Sequence, residues 1–154
     1  MKRKHFCTSV ILLSLLVAAL LPVLATALPG QPSGSVLIQI DIKPGSDDNV
    51  ISLGSQGVIP VALLTDGDFI ATTVIPENVY LEGYGVAVRG KGSKYMAHQE
   101  DIDGDGDVDL VVQIEAENLD PSLFQDGYAT LWIAGITGTP AYWGWNEVTV
   151  VPPQ

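Results

Sequence analysis

The sequence predicts an all-β protein, a single antiparallel β-sandwich, on three observations. From residue 35 onward the apolar segments are short and frequent. Each is rich in β-branched or aromatic residues and is bounded by Gly, Pro, Asn or Asp. None of them sustains the 3.6-residue apolar period that a helix needs to bury one face.

The elements follow in chain order. Residues 35–42 alternate apolar and polar from Leu37, and Lys43-Pro-Gly-Ser46 stops them as a strand entering a turn. Segments 50–53, 57–64, 72–75, 78–81 and 86–89 continue in the same style, and 110–114, 128–134 and 146–151 complete the set. Pro60 stands inside one of these runs, which predicts an edge strand or a bulge, because proline has no N–H for the ladder. Only Pro121-Ser-Leu-Phe124 suggests a helical turn. Asp66-Gly-Asp68 and Asp47-Asp-Asn49 read as turns. The expected sandwich is immunoglobulin-like or of a similar kind, with one acidic loop, residues 101–109, running directly into a strand.

The first residues are of a different character. Lys2, Arg3 and Lys4 precede an almost wholly apolar stretch, 6–24, and Ala25-Thr26-Ala27 has the small-x-small form that signal peptidase cuts. A retained membrane anchor is the competing reading of so long an apolar run. Pro22, the polar Thr8, Ser9 and Ser14, and the small-residue exit favour cleavage after Ala27. The expected organisation is therefore a signal peptide over 1–27, a flexible lead-in over 28–34 and one β-sandwich domain over 35–154. The product is expected to be secreted, extracellular or at the cell surface, with no membrane attachment once the signal is removed.

All eighteen acidic residues follow the leader, whereas three of the seven basic ones lie in it. The whole chain carries a net charge of −11, and the four basic residues left after cleavage reduce the product to −14. Such a charge opposes nucleic acid and anionic lipid and favours cations. Cleavage also removes Cys7, the one cysteine, so no disulfide can brace the domain. A bound metal is the obvious substitute.

Asp101-Ile-Asp103-Gly-Asp105-Gly-Asp107-Val-Asp109 is the most specific motif in the chain. Carboxylates at Asp101, Asp103 and Asp105 can converge on one hard cation, while Gly106 permits the sharp turn after them. Asp107 can offer its carbonyl and Asp109 a direct or water-bridged contact, which approaches the six to eight oxygens that Ca²⁺ takes. Mg²⁺ prefers a tighter octahedral shell, and zinc would want sulfur or histidine that the loop lacks. Ca²⁺ is the expected cofactor, and the adjacent Glu100 is the nearest outside donor. A solvated acidic turn is the bland alternative, but close carboxylates repel unless a cation or basic group compensates them.

The loop differs from an EF-hand. Its twelfth position is Val112 where an EF-hand has a bidentate glutamate, and a strand-like run follows it. The Asp-x-Asp-x-Asp-Gly-x-x-Asp pattern before an apolar run is similar to the strand-flanked calcium loops of integrin-type β-propellers, and it resembles the first half of a dockerin loop. Those families repeat the unit, whereas this chain has it once. A wider pattern, Ile40-Asp-Ile-Lys-Pro-Gly-Ser46, Gly57-Val-Ile-Pro-Val-Ala62, Phe69, Ile75-Pro76 and the Asp101 loop, resembles a poorly characterised β-domain of secreted and cell-surface proteins of bacteria and archaea. The resemblance implies fold, export and calcium, and brings with it no known enzymatic activity.

Aromatic residues gather near the C-terminus. Tyr142, Trp143 and Trp145 are candidate ligand-binding residues, with Trp143 and Trp145 projecting to one face of a strand. They can either pack a core or stack on sugar rings. For catalysis there is little material: no thiol remains, His98 is the one histidine after the leader, and no serine sits in a nucleophile elbow. The protein is expected not to be an enzyme. Two function classes remain, a calcium-stabilised structural or adhesive module and a calcium-dependent carbohydrate-binding module using an aromatic face. The candidate partners are Ca²⁺ and an extracellular polysaccharide or another surface protein.

Overall fold

Many of the strands are rich in β-branched residues, and glycines stand in several of the turns between them, in a computed structural model that describes residues 34–92, 94–124, 126–135 and 140–151. The expected signal peptide and all of the lead-in except Gly34 lie outside those residues. The fold is all-β, built of several open sheets that are mostly antiparallel, with no α-helix among the described residues.

In chain order the strands are β1 (Val36–Leu37), β2 (Ile40–Ile42), β3 (Val50–Ser52), β4 (Val58–Leu63), β5 (Val79–Leu81), β6 (Tyr84–Gly85) and β7 (Val88–Arg89). There follow β8 (Lys94–Tyr95), β9 (Ala97–Glu100), β10 (Asp109–Glu115), β11 (Tyr128–Ile133), β12 (Tyr142–Glu147) and β13 (Thr149–Val151). One sheet has the order β1-β12-β11-β5-β6 and another β2-β4-β10-β9, while β13 with β3 and β7 with β8 form small two-stranded sheets. Two pairings are parallel, β1 with β12 and β13 with β3.

The longest ladder joins β4 to β10 antiparallel, from Leu110 opposite Leu63 to Glu115 opposite Val58. Alternate residues of these strands turn inward, since side chains on a strand alternate between faces. Ile42, Val61, Leu63, Val112 and Ile114 of this sheet share one hydrophobic cluster with Val79, Leu81 and Leu131 of the five-stranded sheet, all of them fully buried. Burial of each such side chain is favourable by about 1.5–3 kcal/mol.

Several expectations are corrected by long-range pairing. The run 35–42 is not one strand: Ile38 N–H donates to Trp143 O at 2.9 Å, and the chain then leaves β12 to pair as β2 with β4. Pro60 is not at an edge, because β4 lies between β2 and β10. Its missing donor is tolerated because it faces the point where β2 ends. There Lys43 N–H donates to Pro60 O at 2.8 Å, and the Lys43 carbonyl, which would have sought Pro60's absent N–H, accepts from Ser46 N–H at 3.0 Å instead. Residues 72–75 form no strand, since Ala71–Thr73 is a 3-10 turn. The run 146–151 divides between the end of β12 and β13, with Val148 buried between them. Only the last two residues of 86–89 are strand, as β7. The turn at Asp66–Asp68 forms as expected, with Gly67 at φ 56° and a bridge between Asp66 and Phe69. The helical turn at Pro121–Phe124 forms as well.

Candidate metal site

The acidic loop is the connection of an antiparallel hairpin. Asp109, the first residue of β10, lies opposite Glu100, the last residue of β9, so residues 101–108 are the excursion between them. Strand β9 is absent from the sequence expectations because it is an edge strand, mostly exposed, and its Ala-His-Gln-Glu carries no apolar alternation.

Within the excursion the carboxylates organise the backbone. Asp101 accepts from Gly104 N–H at 2.9 Å and from Gly106 N–H at 3.2 Å. Asp103 accepts from Asp105 N–H at 3.2 Å, and Asp105 accepts from Asp107 N–H at 2.8 Å. These are the local side-chain-to-backbone bonds that make aspartate a turn former. Gly104 at φ 77° and Gly106 at φ 99° take left-handed conformations that a β-carbon would strain, which is why glycine alternates with aspartate here.

Asp109 is different from the rest. It is 1% exposed, and its two oxygens accept from Thr65 N–H at 2.8 Å and Ile102 N–H at 2.9 Å. Thr65 Oγ1 also donates to Val108 O at 2.7 Å. The end of the acidic loop is thereby tied to the segment after β4. Thr65 is a residue that sequence reasoning missed, since nothing local to it signals contact with a loop more than forty residues away.

Oxygens of Asp101, Asp103 and Asp109 lie within 4.8 Å of one another, close enough to hold one metal ion. Among the described residues no lysine or arginine pairs with them. The electrostatic consequence is visible at Asp103, which is fully exposed. The Asp105 N–H is the largest single influence and holds its pKa down, but slight desolvation and repulsion from Asp105, Asp109 and Asp101 together raise it above the ordinary value. Three like-charged neighbours are part of what pushes Asp103 toward protonation, and a cation would relieve that repulsion.

Of the other expected donors, Asp105 and Asp107 lie in the loop with exposed side chains outside the triad, Asp107 having been expected to act through its carbonyl. Glu100 is not part of the triad either. Its carboxylate lies 3.4 Å from His98 Nε2, with both side chains about half exposed or more. The donor set is all oxygen, which suits a hard cation.

The three aromatic candidates separate by exposure. Trp143 is buried and stacks on Trp132, with centroids 5.9 Å apart at 22°. Tyr142 is half-buried against the core and meets Phe69 at 5.0 Å. Trp145 is 41% exposed, with Tyr128 edge-on to it at 5.2 Å and 83°.

Comparison with protein-family models, curated proteins and solved structures returns no match. What stands is a mostly-β domain with an acidic Asp101, Asp103 and Asp109 cluster, and the family resemblance rests on its motifs alone.

Proposed function

We propose that this protein is an exported β-sandwich module that binds one Ca²⁺ ion in the 101–109 loop and uses it as a structural brace, with a structural or adhesive role outside the cell and no enzymatic activity. The observation that carries the reading is the convergence of Asp101, Asp103 and Asp109 within 4.8 Å, one of them buried and tied to both the loop and the neighbouring chain. Ca²⁺ accepts six to eight oxygens in adaptable geometry, and carboxylates, the Asp107 carbonyl and waters supply that number without the rigid octahedron Mg²⁺ demands.

A static role follows from the flanking structure. An EF-hand switch works by re-angling two helices, whereas this loop joins paired strands β9 and β10 and ends at a buried side chain. The ion would therefore hold a hairpin closed. At a calcium concentration one hundred times Kd, binding to the native state adds about 2.7 kcal/mol of stability, a large share of what a single domain has.

A thermal melt with calcium and with chelator tests the reading. The midpoint is expected to rise by several degrees with calcium, and the rise is expected to vanish in Asp103→Ala. Superimposable melts for the native protein would refute it, and an equal response to magnesium would remove calcium as the specific ion.

A further inference from the structure

Between β1 and β2 the chain passes from one sheet to the other. After β1 leaves β12, an open groove of about 330 Å³ remains, lined by Leu37, Gln39, Leu64, Asp66, Phe69 and Trp145 among others. Its volume is at the small end of the roughly 300–1,000 Å³ that small-ligand sites span. We propose that this groove binds a neutral sugar of an oligo- or polysaccharide, with Trp145 as the stacking platform and the Gln39–Asp66 pair as the hydroxyl-recognising group.

Trp145 supplies the apolar part. It is 41% exposed, yet it is not a loose side chain, because its ring packs T-shaped with that of Tyr128 at 5.2 Å. A pyranose presents a face of C–H groups that such a ring can cover, and Leu37, 56% exposed, extends the apolar surface beside it.

Gln39 and Asp66 supply the polar part. Gln39 Nε2 donates to Asp66 Oδ2 at 2.9 Å, which fixes the two side chains against each other. Among the described residues Gln39 Oε1 and Asp66 Oδ1 accept no further hydrogen bond, and the amide retains a second N–H. Two acceptors and a donor held in one place match the paired hydroxyls of a sugar ring. The segment carrying Asp66 is itself anchored, by Thr65 to Asp109 and Val108 and by the tight Asp66–Phe69 turn.

Charge decides the class of glycan. Among the described residues lining the groove, Asp66 is the one titratable side chain and none is lysine or arginine, and the chain carries −11 overall. Uronate or sulfated polymers would be repelled, whereas a neutral sugar costs nothing in charge and gains a carboxylate acceptor.

The proposal is independent of the calcium reading and is tested with calcium in excess. Protein expressed from its full coding sequence is run through affinity gels containing cellulose derivative, xylan, mannan or glucan, with polygalacturonate as the anionic comparison. Retardation by at least one neutral polymer is expected. Trp145→Ala and Gln39→Ala are each expected to weaken it by roughly tenfold or more, the scale on which interface tryptophans act, with melting temperatures unchanged. Trp145→Phe, which keeps an aromatic face, is expected to recover part of the binding. Absence of retardation by every neutral polymer would overturn the proposal, as would retardation by polygalacturonate alone or retardation indifferent to Trp145→Ala.

Discussion

The Asp109 carboxylate accepts main-chain donors from Thr65 and Ile102 while almost wholly excluded from solvent, so its removal leaves two N–H groups without their acceptor. Asp109→Ala is expected to lower stability by about 3 kcal/mol in chelator, where no ion contributes, because orphaned buried donors cost about 1–3 kcal/mol each. Asp103 anchors only its own turn and is fully exposed. Asp103→Ala should leave the chelator-state urea midpoint close to native, and only the calcium-dependent increment should disappear. Glu82 makes a different residue-scale prediction. Burial, the largest influence, raises its pKa from 4.5 against the opposing hydrogen bond from Thr130 N–H, with Asp126 adding to the rise. The folded state thus binds more protons than the unfolded chain from about pH 4.5 upward. This group's contribution to stability falls as pH rises through that window and returns on acidification. Glu82→Gln keeps an oxygen for Thr130 and loses the charge. It should be more stable than native at neutral pH, with the difference narrowing as pH falls toward 4.5 in a series of urea titrations.

At the scale of elements, the crossing between sheets leaves no room for a side chain at Gly144. A β-carbon on Gly144 would lie 2.8 Å from Ile40 Cγ2 and 2.9 Å from Ile38 O. The second neighbour is backbone that also carries the Ile38 to Trp143 hydrogen bond, so it cannot yield cheaply. Gly144→Ala is expected to cost about 1–3 kcal/mol by overpacking, read as a lower denaturant midpoint. Strand β11 is the other sensitive element, paired on one side with β5 and on the other with β12. Leu131 is fully buried at its centre, and Leu131→Ala should cost about 2–5 kcal/mol in the same measurement. Strands such as β4, β10 and β11 were legible because their apolar content and turn boundaries are local. Strands β6, β8 and β9 and the late start of β7 were not, since short, exposed strands with little apolar content exist only through their partners. Pro60 misled for the same reason, as its tolerance depends on where a different strand stops.

At the scale of the molecule, the acidic loop, the Thr65 anchor and the groove beside Asp66 lie along one stretch of connected hydrogen bonds from Val108 and Asp109 through Thr65 to the turn at Asp66. An ion held by Asp101, Asp103 and Asp109 would stiffen the support of that groove as well as its own hairpin. The described residues hold a core cluster shared by the two larger sheets, and the chain has a charge of −11 that any bound divalent cation reduces.

The sequence by itself determined the all-β class, most strand positions and the Asp101–Asp109 loop. Alternation, turn chemistry and the spacing of carboxylates are properties of neighbouring residues. Tertiary structure alone decided which aspartates converge, that Asp109 is buried, that Trp143 packs while Trp145 is exposed, and that Gln39 meets Asp66. Those facts depend on how strands pair and pack, and the anchoring of Asp109 by Thr65 and the meeting of Gln39 with Asp66 join segments far apart in the chain.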